Sequence, residues 1–193
     1  MRVLPLAAAI GAALLISACL PATTKTPIGT TVGFKPDPTL YGVWRQSGQK
    51  GVIGFITFLK GEGDGMTAIM ASPNDEGGGD WQVFQLKTTS LGGRTFMNAR
   101  EALVNGKPAD DGLAGQNIPV LYRVKGRTLT LLLLDEKKTS AAIKARAIAG
   151  TIDPGEYGDV HITATAASLD KFMQSDAGIA LFSGQLIVMK RVD

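Results

Sequence analysis

The feature that most constrains the fold is a series of apolar, β-rich stretches separated by short glycine turns. The stretches WQVFQLKTTSL and RTFMNARE flank Gly92-Gly93, and IPVLYRVK and RTLTLLLLD flank Gly126 in the same way. Two strands joined by so short a glycine link are typical of a β-hairpin. Several hairpins with few helices predict a mainly β fold, an antiparallel barrel or strongly curled sheet.

Further strands complete this expected sheet. They are predicted over LYGVWRQ, GVIGFITFLKG, MTAIMAS, DVHITATA and a final QLIVMKRV. The total is about eight or nine strands. The turn GEGDG (61–65), the loop PNDEGGGD (73–80) and a loop over residues 102–117 are expected between them.

Two short helices are expected late in the chain. The first is predicted over Glu136 to Ala149, with Gly150 as its stop. The second begins with Thr165 or Ser168 as N-cap, carries Leu169, Phe172 and Met173 on one face, and loses its pattern around Gly178. It precedes the last strand.

The strand TLTLLLLD (128–135) predicts how sheet and helices pack. Leu129, Leu131 and Leu133 alternate onto one face, while Leu132 and Leu134 lie on the other. Leucine on both faces at the far end of this strand indicates that a helix covers the outside of the sheet there.

The beginning and the end of the predicted sheet carry a resemblance. Gly42, Val43 and Trp44 resemble the G-x-W start of the first strand in lipocalin-like (calycin) barrels, and the helix before the last strand is similar to their plan. The resemblance implies that Trp44 packs beneath Arg191, near the C-terminus. It also implies, as one alternative, a carrier of a lipid or small apolar ligand.

Residues 1–18 are predicted to be a secretory signal. Arg2 is followed by an apolar run from Val3 to Ile16 and by the small residues Ser17 and Ala18. A helix of about 14 residues spans about 21 Å. A bilayer core is about 30 Å thick, so the run is too short for a good permanent membrane span.

The sequence Ile16-Ser17-Ala18-Cys19 resembles the lipobox of bacterial lipoproteins. The resemblance implies cleavage after Ala18 and acylation of Cys19, the chain's one cysteine. Leu20, in place of an aspartate, implies the outer membrane, facing the periplasm. The alternative is a secreted soluble protein with an incidental cysteine.

Residues 19–39 are interpreted as the lipidated cysteine and a flexible tether. Residues 20–39 are rich in proline and threonine and show no strand or helix period. As a flexible coil of 20 residues the tether would span about 25 Å. The alternative is an N-terminal arm that packs on the domain, which is expected over residues 40–193.

The charged and titratable residues do not indicate nucleic-acid binding, catalysis or metal binding. The net charge is +3 and no long basic run exists, so nucleic-acid binding is not expected. His161 is the one histidine, on a strand where Val160 and Ile162 face the core, and no G-x-S-x-G occurs. We therefore expect no catalytic residue, no metal site and no cofactor, and His161 is interpreted as an exposed or edge-strand residue.

Each of three other groups of residues allows two interpretations. The acidic residues of GEGDG and PNDEGGGD favour turns over loose calcium sites. Lys137, Lys138, Lys144 and Arg146 favour a solvated helix face over contact with lipid or a partner. The apolar strand positions Phe55, Phe58, Phe84, Phe96, Met66, Met70 and Met97 favour a filled barrel over a ligand cavity.

Together these expectations describe a membrane-anchored envelope lipoprotein. Its barrel domain is expected to be a non-enzymatic interaction or envelope-maintenance module. Its partners would be membrane lipid at Cys19 and an unknown protein or small apolar ligand. A hydrolase is the less favoured alternative.

Overall fold

Eight antiparallel strands close into a barrel in the computed structural model, which describes residues 21–46, 54–73, 78–109, 115–154 and 158–193. The elements in chain order are β1 (Thr23–Thr24), β2 (Gly42–Gln46), β3 (Phe55–Lys60), β4 (Met66–Pro73), β5 (Gly79–Leu91), β6 (Arg94–Val104), β7 (Lys107–Pro108), β8 (Ile118–Lys125), β9 (Thr128–Leu133), α1 (Glu136–Lys144), β10 (Gly150–Ile152), β11 (Val160–Ile162), α2 (Ala166–Met173), α3 (Asp176–Ile179) and β12 (Leu186–Arg191). The mainly β prediction is confirmed.

The barrel is a meander that closes on itself. The ring order is β2-β3-β4-β5-β6-β8-β9-β12, and β12 pairs with both β9 and β2. The strand β7 pairs with β6 outside this ring. The link from β9 to β12 carries α1, β10, β11, α2 and α3, and its two strands form a separate three-stranded sheet with β1.

The glycine turns form the hairpins that the sequence predicts. Gly92 and Gly93 join β5 to β6 with φ of 59° and 74°. Two successive positive φ angles are typical of a type I′ turn, whose twist matches that of the strands. β8 and β9 pair in the same way around Gly126, whose φ is 56°.

The barrel interior is the first of two hydrophobic cores. Trp44, Phe58, Leu129 and Met189 are at most 2% exposed, and Leu131 lies beside them. Met66, Met97 and Leu86 also belong to this interior core. The prediction that Leu129 and Leu131 share one face is confirmed.

The second core lies outside the barrel wall, beneath the helices. It includes Phe96 from β6, Leu134 from the end of β9, and Leu169 and Met173 from α2. Leu132 packs against it, as do Ala142 and Ile143 of α1. The prediction that a helix covers the outer leucines of this strand is confirmed, because each face of β9 belongs to a different core.

The first helix is shorter than predicted. It ends at Lys144 rather than at Ala149, because Arg146 adopts a left-handed conformation with φ of 58°. Ala147 N–H donates to Ala142 O and Arg146 N–H donates to Ile143 O, each at 2.9 Å. This pair of bonds is the Schellman motif, here formed without glycine, and it turns the chain into β10.

The second predicted helix is two helices. Thr165 is the N-cap of α2, because its side chain accepts a hydrogen bond from Ser168 N–H. This confirms one of the two N-cap residues that the sequence predicts. The helix ends at Met173, and Ser175 starts α3 by accepting from Gly178 N–H at 3.2 Å. A second capping side chain inside one apolar pattern therefore divides the predicted helix.

The predicted bounds of one loop and of one strand are wrong. Residues 102–104, predicted as loop, continue β6, and Lys107–Pro108 form β7. The stretch DVHITATA contributes only Val160–Ile162, and this strand lies outside the barrel between β1 and β10. Its alternation is as expected, since Val160 and Ile162 are buried. His161, interpreted as exposed or on an edge strand, instead lies half-buried on a central strand.

Candidate functional site

One end of the barrel is closed around Trp44 and Arg191. The Trp44 ring is fully buried, and its Nε1–H donates to Leu40 O at 2.7 Å. Arg191 Cζ lies 4.4 Å from the centroid of this ring, within the range of a cation–π contact. The guanidinium also donates to Tyr41 O at 2.7 Å and to Thr39 O. Arg191 thus joins the end of β12 to the start of β2.

Gly42 is the glycine that this arrangement requires. Its φ is +111°, a backbone conformation that side chains with a Cβ rarely adopt. A Cβ at this position would also lie 3.3 Å from Arg191 Nη1. Gly42, Trp44 and Arg191 therefore form one packed unit at the closed end.

The segment predicted as a flexible tether packs on the domain from residue 21 onward. Ala22 and Ile28 are fully buried in the outer core, and β1 pairs with β11. We therefore correct the tether prediction: residues 21–39 form the N-terminal arm that the sequence left as the alternative. Cys19 and the predicted cleavage site at Ala18 lie outside the described residues.

Two buried side chains of the domain hold the N-terminal arm by its backbone. Asp170, 2% exposed on α2, accepts hydrogen bonds from Gly29 N at 2.7 Å and Thr31 N at 2.9 Å. Asn98, 2% exposed on β6, accepts from Ile28 N at 2.7 Å and donates to Ile28 O at 2.9 Å. Neither polar group is near the arm in sequence, so no local pattern could reveal the attachment.

Tyr122 ties the arm to the closed end of the barrel. Its hydroxyl donates to Asp37 Oδ2 at 2.7 Å, and its side chain is 5% exposed. Burial, then the hydrogen bond to the Asp37 carboxylate, and then the charge of that carboxylate raise the pKa of Tyr122 well above its ordinary range. The phenol therefore keeps its proton at neutral pH and donates a hydrogen bond to Asp37.

Some apolar side chains that border the interior core are only partly buried. Ile56, Phe84, Ile118, Leu133 and Ile187 pack against the interior core without being enclosed by it. They lie on five different strands, and Ile56 pairs directly with Trp44 in the strand register.

The outer wall formed by β2, β3, β4 and β5 exposes large apolar side chains together. Val43 is 37% exposed, Phe55 38%, Leu59 44% and Trp81 39%. The strand register places Phe55 and Trp81 in one row, since Phe55 pairs with Ala71 and Ala71 with Trp81, whereas Leu59 pairs with Thr67 two outward-facing rows away. In the next outward-facing row, Val43 pairs with Thr57, Thr57 with Ile69, and Ile69 with Val83. We call these side chains the apolar face.

Trp81 is held in place by the turn between β6 and β7. Trp81 N–H donates to Asn105 Oδ1 at 2.8 Å, and Asn105 N–H donates to Trp81 O at 2.9 Å. Gly106 follows, and a Cβ on it would lie 3.5 Å from the indole ring. With Phe55 and Ala71, Trp81 lines a hollow of about 340 Å³ on the apolar face. The exposed indole is thus a fixed feature of this surface.

A second, larger hollow is polar. It has a volume of about 660 Å³ and lies between the N-terminal arm and the outer side of β4, β5 and β6. Glu62 and Asp64 line it on one side, and Lys87 and Arg100 on the other. The predicted turn GEGDG forms here, with Gly65 N–H donating to Glu62 O at 2.9 Å. Charges of both signs give this hollow no net preference for an ion.

The structure brings Asp153 and Asp159 next to His161, a grouping that sequence reasoning missed. The available signal was the spacing of the two aspartates and the histidine in DPGEYGDVH, residues 153–161. One histidine by itself does not indicate a metal site. The sequence does not show that β10 pairs with β11, and this pairing brings Asp153 next to His161.

Among the described residues, no helix combines the length and the apolar character that crossing a membrane requires. Comparison with protein-family models, with curated proteins and with solved structures finds no match.

Proposed function

We propose that this protein is a lipid-anchored, non-enzymatic binding module of the bacterial envelope, whose apolar face docks a protein partner. The barrel and its closed end are scaffold, since their buried groups are occupied by packing and by the N-terminal arm. The lipid on Cys19 supplies the location, in the outer membrane facing the periplasm. We propose no catalytic role for any residue.

The contiguity of exposed apolar groups on β2 to β5 is the observation that carries this proposal. Single exposed apolar side chains are ordinary on protein surfaces, but contiguous patches mark sites of interaction. Here Phe55 and Trp81 flank one hollow, and aromatic side chains of this kind are enriched at the centre of protein interfaces. The partner surface would bury its own apolar groups here.

Two basic residues at the edge of the apolar face describe the partner further. Arg45 is exposed and lies opposite Phe55 in the strand register. Lys107 is exposed on β7, next to the turn that holds Trp81. Complementary charge sets orientation and association rate more than affinity. Asp80 lines the same hollow, so a partner with apolar side chains at its centre and charges of both signs at its rim fits this arrangement.

The proposed anchor would hold the domain close to the membrane. Lipobox cleavage after Ala18 leaves only Leu20 and Pro21 between Cys19 and the buried Ala22. Two extended residues span about 7 Å, much less than the tether predicted from sequence. A triply acylated cysteine would exceed the two signals that stable anchoring needs.

The barrel supports the resemblance to lipocalin-like proteins as a matter of architecture. The eight-stranded meander, the contact of Arg191 with Trp44 and the helices before the last strand all accord with it. We propose the calycin plan for this domain, without a carrier function as the first choice.

Site-specific photo-crosslinking in cells tests the docking surface. A photo-reactive phenylalanine analogue replaces Phe55 in the full chain, and the matched control places it at Thr163, which is exposed on the other side of the domain. We expect a discrete protein adduct from position 55, none from position 163, and loss of the adduct when Leu59→Ser is added. Adducts of equal yield from both positions, or none from position 55, would refute the docking surface.

The anchor is tested separately. Cys19→Ser is expected to leave the protein as unprocessed precursor or in the soluble fraction, and to abolish labelling by palmitate. Continued palmitate labelling of this variant would contradict lipidation at Cys19.

A second candidate function is carriage of a lipid or small apolar ligand. The five partly buried apolar side chains that border the barrel interior favour it, since a barrel of eight strands can hold one small ligand. Native mass spectrometry of protein purified without added lipid distinguishes the candidates. A bound apolar molecule at one per chain, lost in Phe84→Glu, would favour the carrier, and an empty barrel would favour the docking module.

A further inference from the structure

The hairpin of β10 and β11 places two carboxylates and one imidazole on one face. Asp159 and His161 are two residues apart along the chain, so they point to the same side of β11. Thr151 is the cross-strand partner of His161, and Asp153 follows two residues after it on that side. Asp153 N–H donates to Asp159 O at 2.9 Å, which keeps the two aspartates together.

The three side chains offer one ligand atom each, all within 4.8 Å of one another. His161 Nε2 lies 3.8 Å from Asp153 Oδ2, too far for a direct hydrogen bond. Around a tetrahedral ion with bonds of about 2.1 Å, ligand atoms are about 3.4 Å apart. Because the Asp153 side chain is 57% exposed, small rotations can bring it to that distance.

Thr23 of the N-terminal arm orients the imidazole. Its Oγ1 lies 2.6 Å from His161 Nδ1, and Thr23 itself is 2% exposed. With Nδ1 held by the hydroxyl, Nε2 is the ring nitrogen that faces the carboxylates. A histidine that binds a metal through one nitrogen almost always has the other held by a hydrogen-bonding partner. This contact joins residues 138 positions apart in the chain.

We propose that Asp153, Asp159 and His161 bind a zinc ion. Imidazole nitrogen and carboxylate oxygen are both good ligands for Zn²⁺, and three protein ligands leave a coordination position open to water. Calcium and magnesium prefer all-oxygen sites, and the absence of thiolate from the set disfavours the softest metals. The site is independent of the apolar face, and neither proposal depends on the other.

The site lies beside β1, at the start of the described part of the N-terminal arm. β1 runs parallel to β11, with Thr23 opposite His161 and Thr24 opposite Ile162. The residues before Thr23 therefore run toward Asp159. Zinc bound here would cross-link the hairpin of the small sheet next to the start of the N-terminal arm.

Calorimetric titration of the full mature chain with Zn²⁺ at pH 7.5 tests the proposal. We expect one ion per chain, with Ca²⁺ and Mg²⁺ binding at least tenfold more weakly. His161→Ala, Asp153→Asn and Asp159→Asn should each weaken Zn²⁺ binding by about tenfold or more. The control Asp64→Asn, in the exposed turn between β3 and β4, should leave binding unchanged.

Two further measurements separate loss of the site from loss of the fold. Thr23→Ser retains the hydroxyl and should bind Zn²⁺ as the natural chain does, whereas Thr23→Val should bind it more weakly. Co²⁺ substituted for Zn²⁺ should give visible absorption bands that vanish in His161→Ala. Unchanged Zn²⁺ affinity in His161→Ala, or the same loss in Asp64→Asn, would show adventitious surface binding only and overturn the proposal.

Discussion

The two sides of the barrel wall have the same strand pattern and different surroundings. On the side of β6, β8 and β9, outward apolar residues such as Phe96 and Leu132 are covered by the arm, the helices and the small sheet, and Phe96 lies 5.6 Å from the ring of Phe182. On the side of β2 to β5, outward residues such as Phe55 and Leu59 remain exposed. Outward-facing apolar residues on a barrel strand therefore do not by themselves show that another element of the chain covers them.

The difference arises from where the chain's longest connection lies. The link from β9 to β12 holds all three helices of the described residues and folds back over the strands nearest to it. Among the described residues, the links from β3 to β4, from β5 to β6 and from β8 to β9 are short turns. The helices therefore cover the wall on the side of β6, β8 and β9, whereas Phe55 and Leu59 on β3 remain exposed.

The largest expected effect contrasts a tryptophan inside the barrel with one on the apolar face. Trp44→Ala should lower the free energy of unfolding by about 3–5 kcal/mol, because it empties a buried site and removes the contact with Arg191. Trp81→Ala should cost less than half as much, since its ring is 39% exposed. Urea unfolding of both variants measures the difference. Equal losses would show that Trp81 is as much a part of the core as Trp44.

The next effect tests the attachment of the arm on the covered side. Asp170→Ala should cost about 2–3 kcal/mol, because the buried Gly29 N–H and the Thr31 N–H lose a charged acceptor. The control Asp176→Ala, a fully exposed carboxylate on α3, should change stability by less than about 0.5 kcal/mol. Urea unfolding gives both values, and limited proteolysis should cut the arm faster in Asp170→Ala only. An arm equally protected in both variants would contradict this role of Asp170.

A pH dependence sharpens the description of the closed end. The folded pKa of Tyr122 is raised above its unfolded value of about 10. Stability is therefore fully present below pH 10 and falls as pH rises above it, by at most about 1.4 kcal/mol per pH unit from this group. Urea unfolding between pH 8 and 11 should show a steeper decline in the natural chain than in Tyr122→Phe. Parallel declines would mean that the phenol is not enclosed.

The smallest expected effect concerns the apolar face itself. Leu59→Ser should change the free energy of unfolding by less than about 1 kcal/mol, because the side chain is 44% exposed. Thermal unfolding of the purified protein checks this, with Leu131→Ser, in the barrel interior, as the destabilised reference. A loss for Leu59→Ser as large as that reference would remove the contrast between the two sides of the wall.

Much of the barrel could be predicted because its signals are local. Gly92 and Gly93 mark a hairpin through backbone sterics, and the alternation of leucines in β9 predicts two buried faces through the pleat of the strand. Thr165 marks a helix start through the side-chain acceptor that it offers. Each of these features depends on residues only a few positions apart.

The packing of the N-terminal arm on the domain could not be predicted in the same way. The sequence of residues 20–39 is equally typical of a tether. It packs because Asn98 and Asp170 satisfy its backbone from 70 and 141 positions away. The proposed zinc ligands were missed for a similar reason, since Asp153 meets His161 only once β10 and β11 pair outside the barrel.

The amino-acid sequence by itself determined the β-hairpins, the alternation of their faces and the requirement for glycine at the tight turns, because these follow from steric and periodic rules within a few residues. Only the tertiary structure decided which side of the wall is covered, where the arm lies and what His161 meets. Those outcomes depend on burial and hydrogen bonding between segments that are distant in the sequence and meet only in the folded protein.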